Sequence, residues 1–163
     1  MNPERSGTNP ENLVEDKRIQ LVFAADLLAA VDSHAAIQGA SRTTLLRSFI
    51  KLKGNVDTLI AEAARQGAET TLKASDEVID TNRLLAEYGT SDVEDGRFTL
   101  VLPQSEYLNV QTWAYMSGQN VTTYIRTAAA LGIKIENIVW KSEVSKFRGY
   151  PISVGNQKLV VIL

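Results

Sequence analysis

At 163 residues the chain is long enough to bury a core, as one domain or two compact lobes. It has no cysteine, which excludes disulfides, thiol nucleophiles and thiolate metal sites, and its formal charge of −2 is small enough that the distribution of charge matters more than the total. No apolar run approaches a membrane span and no signal-peptide pattern opens the chain, so a soluble, cytoplasmic protein with no membrane partner is expected.

Residues 1–16 are polar, contain Pro3 and Pro10, and set Glu4, Glu11, Glu15 and Asp16 against Arg5. They read as a mobile N-terminal arm, solvated rather than bound to a nucleic-acid backbone because it is acidic. In residues 17–53, Ile19, Leu21 and Phe23 alternate with Arg18, Gln20 and Val22, the period of a strand. A helix follows through Asp26 to Val31, a stop at Gly39, and a second helix capped at Ser41 that carries Leu45 and Leu46. Six basic residues (Lys17, Arg18, Arg42, Arg47, Lys51, Lys53) against Asp26 and Asp32 give this segment +4.

Residues 54–96 differ in kind. Val56, Leu59, Ile60 and Ala63 predict a third short helix ending near Gly67, and Val78, Ile79, Leu84, Leu85 and Tyr88 another ending near Gly89. Ten acids against Arg65, Lys73 and Arg83 give −7. Phosphate would repel such a connector, which is expected to lie away from any nucleic acid, as a solvated helical link or a protein interface.

Residues 97–132 begin with a second alternating run, in which Phe98, Leu100 and Leu102 face one way and Arg97, Thr99 and Val101 the other. After Pro103 the period becomes helical through Tyr107, Leu108, Val110, Ala114 and Tyr115; Gly118 stops that helix, and Asn120 caps another that runs through Tyr124, Ile125 and Ala128 to a stop at Gly132. In residues 133–163, Ile133, Ile135 and Ile138-Val139-Trp140 read as a strand, and Tyr150 to Val154 with Lys158 to Leu163 as a hairpin about Gly155-Asn156. This C-terminal β extension carries +3 and reads as a small packed sheet, an extra backbone contact or an edge for self-association.

Sliding the chain on itself by 79 residues lays Arg18–Ile50 on Arg97–Ala129 without a gap. Arg18/Arg97, Leu21/Leu100, Val22/Val101, Val31/Val110, Ala35/Ala114, Gly39/Gly118, Thr43/Thr122, Thr44/Thr123 and Arg47/Arg126 are identical, and Ser41/Asn120 agree as caps. One strand and two helices cannot satisfy the strand's backbone alone, so each module needs a partner strand.

Arg18-Ile-Gln-Leu-Val-Phe, Asp26-Leu-Leu-Ala-Ala-Val and Gly39-Ala-Ser-Arg-Thr-Thr-Leu-Leu-Arg47 resemble the ribbon-helix-helix (MetJ/Arc/CopG-type) DNA-binding superfamily, in its repressor and antitoxin members. Leu102-Pro-Gln-Ser-Glu-Tyr107 with Tyr124-Ile-Arg-Thr-Ala-Ala-Ala-Leu-Gly132 is more similar to the plasmid mobilisation and relaxosome accessory members. The resemblance covers the two modules, less than half the chain. It implies an α+β, mainly helical fold in which tandem ribbon-helix-helix modules form an intramolecular pseudo-dimer, with a helical connector and a small C-terminal β segment; pairing between two chains is the alternative. It implies double-stranded DNA as partner, read by an antiparallel ribbon in the major groove. Transcriptional regulation is the leading expectation, a relaxosome accessory role at a plasmid transfer origin the second, and an antitoxin or protein-interaction module the third. A homo-oligomer on DNA and a protein partner at the connector or C-terminal segment are also admitted.

The expected base-reading residues are the outward strand positions Arg18, Gln20, Val22, Arg97, Thr99 and Val101. Arg and Gln pair bidentately with guanine and adenine edges, Thr hydrogen-bonds either, and Val packs on a thymine methyl; the alternative is an ordinary solvated sheet face. The expected phosphate-binding residues are Ser41, Arg42, Thr43, Asn120, Thr122 and Thr123, at helix starts whose free N–H groups suit anions, or which are simply capped. Arg47 and Arg126 fit phosphate contact or a salt bridge equally. Val121 stands where the first module has Arg42, so unlike halves are expected to prefer an asymmetric site. His34 is the only histidine, no glycine-rich phosphate loop or zinc spacing is present, and neither enzymatic activity nor a cofactor or metal is expected.

Overall fold

The computed structural model describes residues 16–88, 96–142 and 150–161. In chain order its elements are β1 (Lys17–Val22), α1 (Ala25–Gln38), α2 (Arg42–Arg65), β2 (Leu72–Ala74), β3 (Glu77–Ile79), a 3-10 turn (Leu84–Glu87), β4 (Arg97–Leu102), α3 (Gln104–Met116), α4 (Val121–Ser142), β5 (Tyr150–Val154) and β6 (Gln157–Val161). The fold is α+β and mainly helical. The arm expected over residues 1–16 lies, but for Asp16, outside the described residues.

The alternation in the two strand sequences becomes a two-faced ribbon. β1 and β4 pair antiparallel within the one chain. Ile19, Leu21, Leu100 and Leu102 are buried on one face, where each fully covered side chain contributes about 1.5–3 kcal/mol. Just past β1, Phe23 meets Phe98 edge to face with ring centroids 5.0 Å apart. Its N–H donates to the carbonyl of Gly96 at 2.9 Å, closing the ribbon's end. A Cβ on Gly96 would lie 1.8 Å from the Phe23 carbonyl oxygen, so only glycine permits that approach.

The register obeys the 79-residue offset. Arg18 opposite Val101 maps onto Arg97 opposite Val22, Ile19 opposite Leu100 maps onto Phe98 opposite Leu21, and Gln20 opposite Thr99 maps onto itself. The turns between the paired helices match as closely. Gly39 and Gly118 are both left-handed, with φ of 68° and 69°, and the Ala40 N–H to Ala35 and the Gln119 N–H to Ala114 span 2.9 Å each. Ser41 Oγ accepts the Thr44 N–H at 3.1 Å, and Asn120 Oδ1 accepts the Thr123 N–H at 2.8 Å, equivalent caps at equivalent positions.

The long helices α2 and α4 form the centre of the core, packing on each other and each on the first helix of the other half. Both outrun expectation. The third helix expected from Val56 to Ala63 is the second half of α2, which passes unbroken through Gly54, and the strand expected at Ile133 to Trp140 is the second half of α4, which passes through Gly132. Neither glycine is a stop. A Cβ on Gly54 would lie 2.6 Å from the Trp113 indole, and one on Gly132 would lie 2.2 Å from the Phe49 ring. These are points of close helix packing, and burial outweighs the roughly 1 kcal/mol that glycine costs a helix. From Ala128 to Ile133 every residue of α4 is buried, so the apolar run shows no helical period.

The connector also departs from the helical link expected of it. β2 and β3 form a hairpin through Ser75 and Asp76, whose φ values of 48° and 72° give the two-residue turn that suits strand twist. The helix expected from Val78 to Tyr88 is instead β3 followed by the 3-10 turn. Its apolar residues are divided between a three-residue strand and a four-residue 3-10 turn, each too short to show a period. The C-terminal hairpin forms about Gly155 and Asn156, and β5 pairs with β2, making a four-stranded sheet of order β3-β2-β5-β6 that is separate from the ribbon.

Candidate nucleic-acid interface

Because successive side chains of a strand alternate, burying Ile19, Leu21, Leu100 and Leu102 turns the intervening residues outward. Arg18, Gln20, Arg97 and Thr99 are exposed, and Val22 and Val101 are half-buried. Antiparallel register sets them directly across from one another: Arg18 by Val101, Gln20 by Thr99, and Val22 by Arg97. Opposed residues share a face, so the six base-reading candidates meet as three adjacent pairs. The face is a strip with an arginine at each end on opposite strands, a valine beside each, and two neutral hydrogen-bonding side chains in the middle. Among the described residues neither arginine is held in an ion pair.

The phosphate candidates sit in two matching groups. Ser41 and Asn120 are exposed and serve as caps, and Thr43, Thr122 and Thr123 are half-buried in the first turns of α2 and α4. Thr122 Oγ1 donates to Asn120 Oδ1 at 2.9 Å, and Thr123 Oγ1 accepts from Arg126 at 3.0 Å. Arg42 is committed elsewhere. Its Nε and Nη2 each donate to Asp32 at 2.8 Å, and its guanidinium lies 4.8 Å from the centre of the Phe98 ring. The hydrogen bond to Asp32 raises its pKa against an opposing effect of burial. An arginine neutralised in this way offers a phosphate less than the sequence promised.

Arg47 and Arg126, alike in sequence, part company. Arg47 makes a forked contact with Glu106, 2.9 Å from Nε and 2.5 Å from Nη2, tying α2 to α3; that hydrogen bond raises its pKa. Half-exposed, the pair is worth up to about 1 kcal/mol. The equivalent of Glu106 in the first module is Leu27, so Arg126 has no such partner and turns to Thr123.

Two polar clusters were not visible in the sequence. Lys53 is buried, with Nζ 2.8 Å from Asp57 Oδ2, and the fully buried Tyr124 donates its hydroxyl to the same oxygen at 2.8 Å. Lys53 had counted toward the basic charge of the first module, yet it faces the core, with its ammonium 4.4 Å from the centre of the Tyr124 ring. Burial, then Asp57, pushes the Tyr124 phenol far above its ordinary range. The i,i+4 spacing of Lys53 and Asp57 was the available signal. In the other half Glu136, equivalent to Asp57, is buried and accepts from Gln38 Nε2 at 2.5 Å, with His34 Nδ1 3.9 Å away.

Tyr107, Leu108, Val110, Ala114 and Tyr115 do not form one buried stripe. Val110 and Ala114 are buried, whereas Leu108 and Tyr115 are exposed. A cleft of about 320 Å³ lies between β3, the 3-10 turn and α4, lined by Val78, Asp80, Arg83, Glu87 and Lys134 among others. Among the described residues no cluster of three metal-ligating side chains is present, and no helix is long and apolar enough to cross a membrane. Comparison with protein-family models, curated proteins and solved structures finds no match.

Proposed function

We propose that the chain binds double-stranded DNA with sequence specificity, seating the β1–β4 ribbon in the major groove, and acts as a transcriptional regulator. The observation that carries the reading is the register, which gathers Arg18, Gln20, Val22, Arg97, Thr99 and Val101 onto one accessible face. A two-stranded ribbon fits the width of the major groove, and the face supplies the donors, acceptors and methyl groups that base edges distinguish. The starts of α2 and α4 anchor the flanking phosphates through first-turn N–H groups, with Ser41, Thr43, Asn120, Thr122 and Thr123 beside them. The strands of the acidic connector join β5 and β6 rather than the ribbon, in keeping with a ribbon left free for an anionic partner.

The test is selection of duplexes from a random pool by the purified protein, with an Arg18→Ala/Arg97→Ala variant in parallel. A reproducible motif that the variant loses is expected, together with binding that weakens steeply as salt is added. Equal binding of every duplex by both proteins, or a flat salt response, rejects the reading. The genomic position of the motif then separates a promoter from a plasmid transfer origin.

A further inference from the structure

The outer face of the ribbon is symmetric in all but one place. Turning it end for end about the Gln20–Thr99 pair lays Arg18 on Arg97 and Val22 on Val101. The only exchange of unlike residues is that of Gln20 with Thr99, because this is the pair that the 79-residue offset maps onto itself. Both are exposed. From this we infer that Gln20 and Thr99 are the polarity-determining residues of the interface: they make the chain sit on its duplex in one direction, with like base pairs on the two flanks and unlike base pairs at the centre. The inference rests on the DNA-binding reading above.

The chemistry of the two side chains differs enough for this task. Gln20 carries an amide that both donates and accepts and pairs bidentately with an adenine edge, whereas Thr99 has one hydroxyl on a shorter stem and a methyl. The four outer residues present the same groups to a duplex in either direction, so they favour an inverted repeat and cannot choose between its two orientations. Other differences between the halves lie off this face. Arg42 against Val121 is an asymmetry of the helix starts, and Lys17, whose equivalent is Gly96, holds its ammonium 5.2 Å from the centre of the Tyr107 ring. Arg42 is already held by Asp32, and groups off this face would meet only the sugar-phosphate backbone, which carries no base sequence, and so would set affinity rather than direction.

The absence of cysteine permits a direct test. A single cysteine placed at the exposed Ser117, beside the start of α4, carries a tethered iron chelate that cleaves nearby DNA. The DNA probe is the motif selected by the wild-type chain. One-sided cleavage relative to the motif centre is expected for the wild type, and cleavage on both flanks for Gln20→Thr, which makes the face fully symmetric. The wild type should also prefer its own centre to a symmetrised one by about tenfold, a preference that Gln20→Thr loses. One-sided cleavage retained by Gln20→Thr, or two-sided cleavage by the wild type, overturns the inference while leaving DNA binding intact. Failure to select any motif overturns the reading beneath it and the inference with it.

Discussion

The two halves of this chain share a backbone and divide its chemistry. Equivalent glycines end α1 and α3 in the left-handed conformation, equivalent carbonyls accept the following N–H groups at the same distance, and equivalent side chains cap α2 and α4. Past the caps the equivalents diverge, Arg42 against Val121 and Lys53 against Gly132, as do Trp113 and His34 in the preceding helices. The difference teaches that turns and caps are set by local backbone requirements that both copies must meet. Positions in the central helix pair meet each other across the core, so one can grow where the other shrinks.

The sharpest way to break the comparison is to impose one half on the other. Gly132→Lys places the residue of the first half against the Phe49 ring, and a loss of more than about 3 kcal/mol is expected in urea denaturation. A loss below 1 kcal/mol would mean that the helices are not closely packed there. Leu21→Ala and Leu100→Ala should each cost about 2–4 kcal/mol and match one another, both side chains being fully covered equivalents; markedly unequal losses in the same titration would show that the ribbon faces two different cores. Ser41→Ala and Asn120→Ala remove equivalent caps, and each should lower stability by about 1 kcal/mol, read as paired shifts of the urea midpoint.

Alkaline pH probes a feature that only one half has. The Tyr124 phenol is held protonated in the fold, its pKa raised above the ordinary 10 by burial and by Asp57. The folded state thus binds this proton more tightly than the unfolded chain, and its contribution is complete below pH 10 and declines above it. Thermal melting followed upward from about pH 9 should show a falling midpoint, and Tyr124→Phe should flatten that fall. An identical slope in the variant would assign the alkaline loss to other groups, Tyr88 among them.

Much of this was legible in the sequence where the backbone itself made a demand. Gly39, Gly118, Ser41 and Asn120 announced their turns and caps, and alternation in Arg18 to Phe23 and in Arg97 to Leu102 announced both strands. The helices continue past Gly54 and Gly132 because the reason for those glycines is a ring on another helix, which no local pattern carries. The repeat in fact continues through both: Leu52/Leu131, Val56/Ile135, Asp57/Glu136 and Leu59/Ile138 keep the same offset. The offset thus runs the full length that α2 and α4 share. On the candidate interface the outward strand residues could be read from their period. That Arg42 belongs to Asp32 and Arg47 to Glu106 could not, since counting charges says nothing of which are already spent within the fold; for Lys53 and Asp57 the i,i+4 spacing was the one local sign.

Pairing β1 with β4 inside one chain has a consequence for dilution. A ribbon assembled from two separate chains comes apart as concentration falls, and its stability then depends on how many copies are present. Here each strand meets its partner at an effective concentration set by the intervening chain, which does not change when the solution is diluted. Complete ribbons are therefore present at any copy number, so occupancy of the proposed DNA target would rise in simple proportion to concentration, with no threshold imposed by assembly.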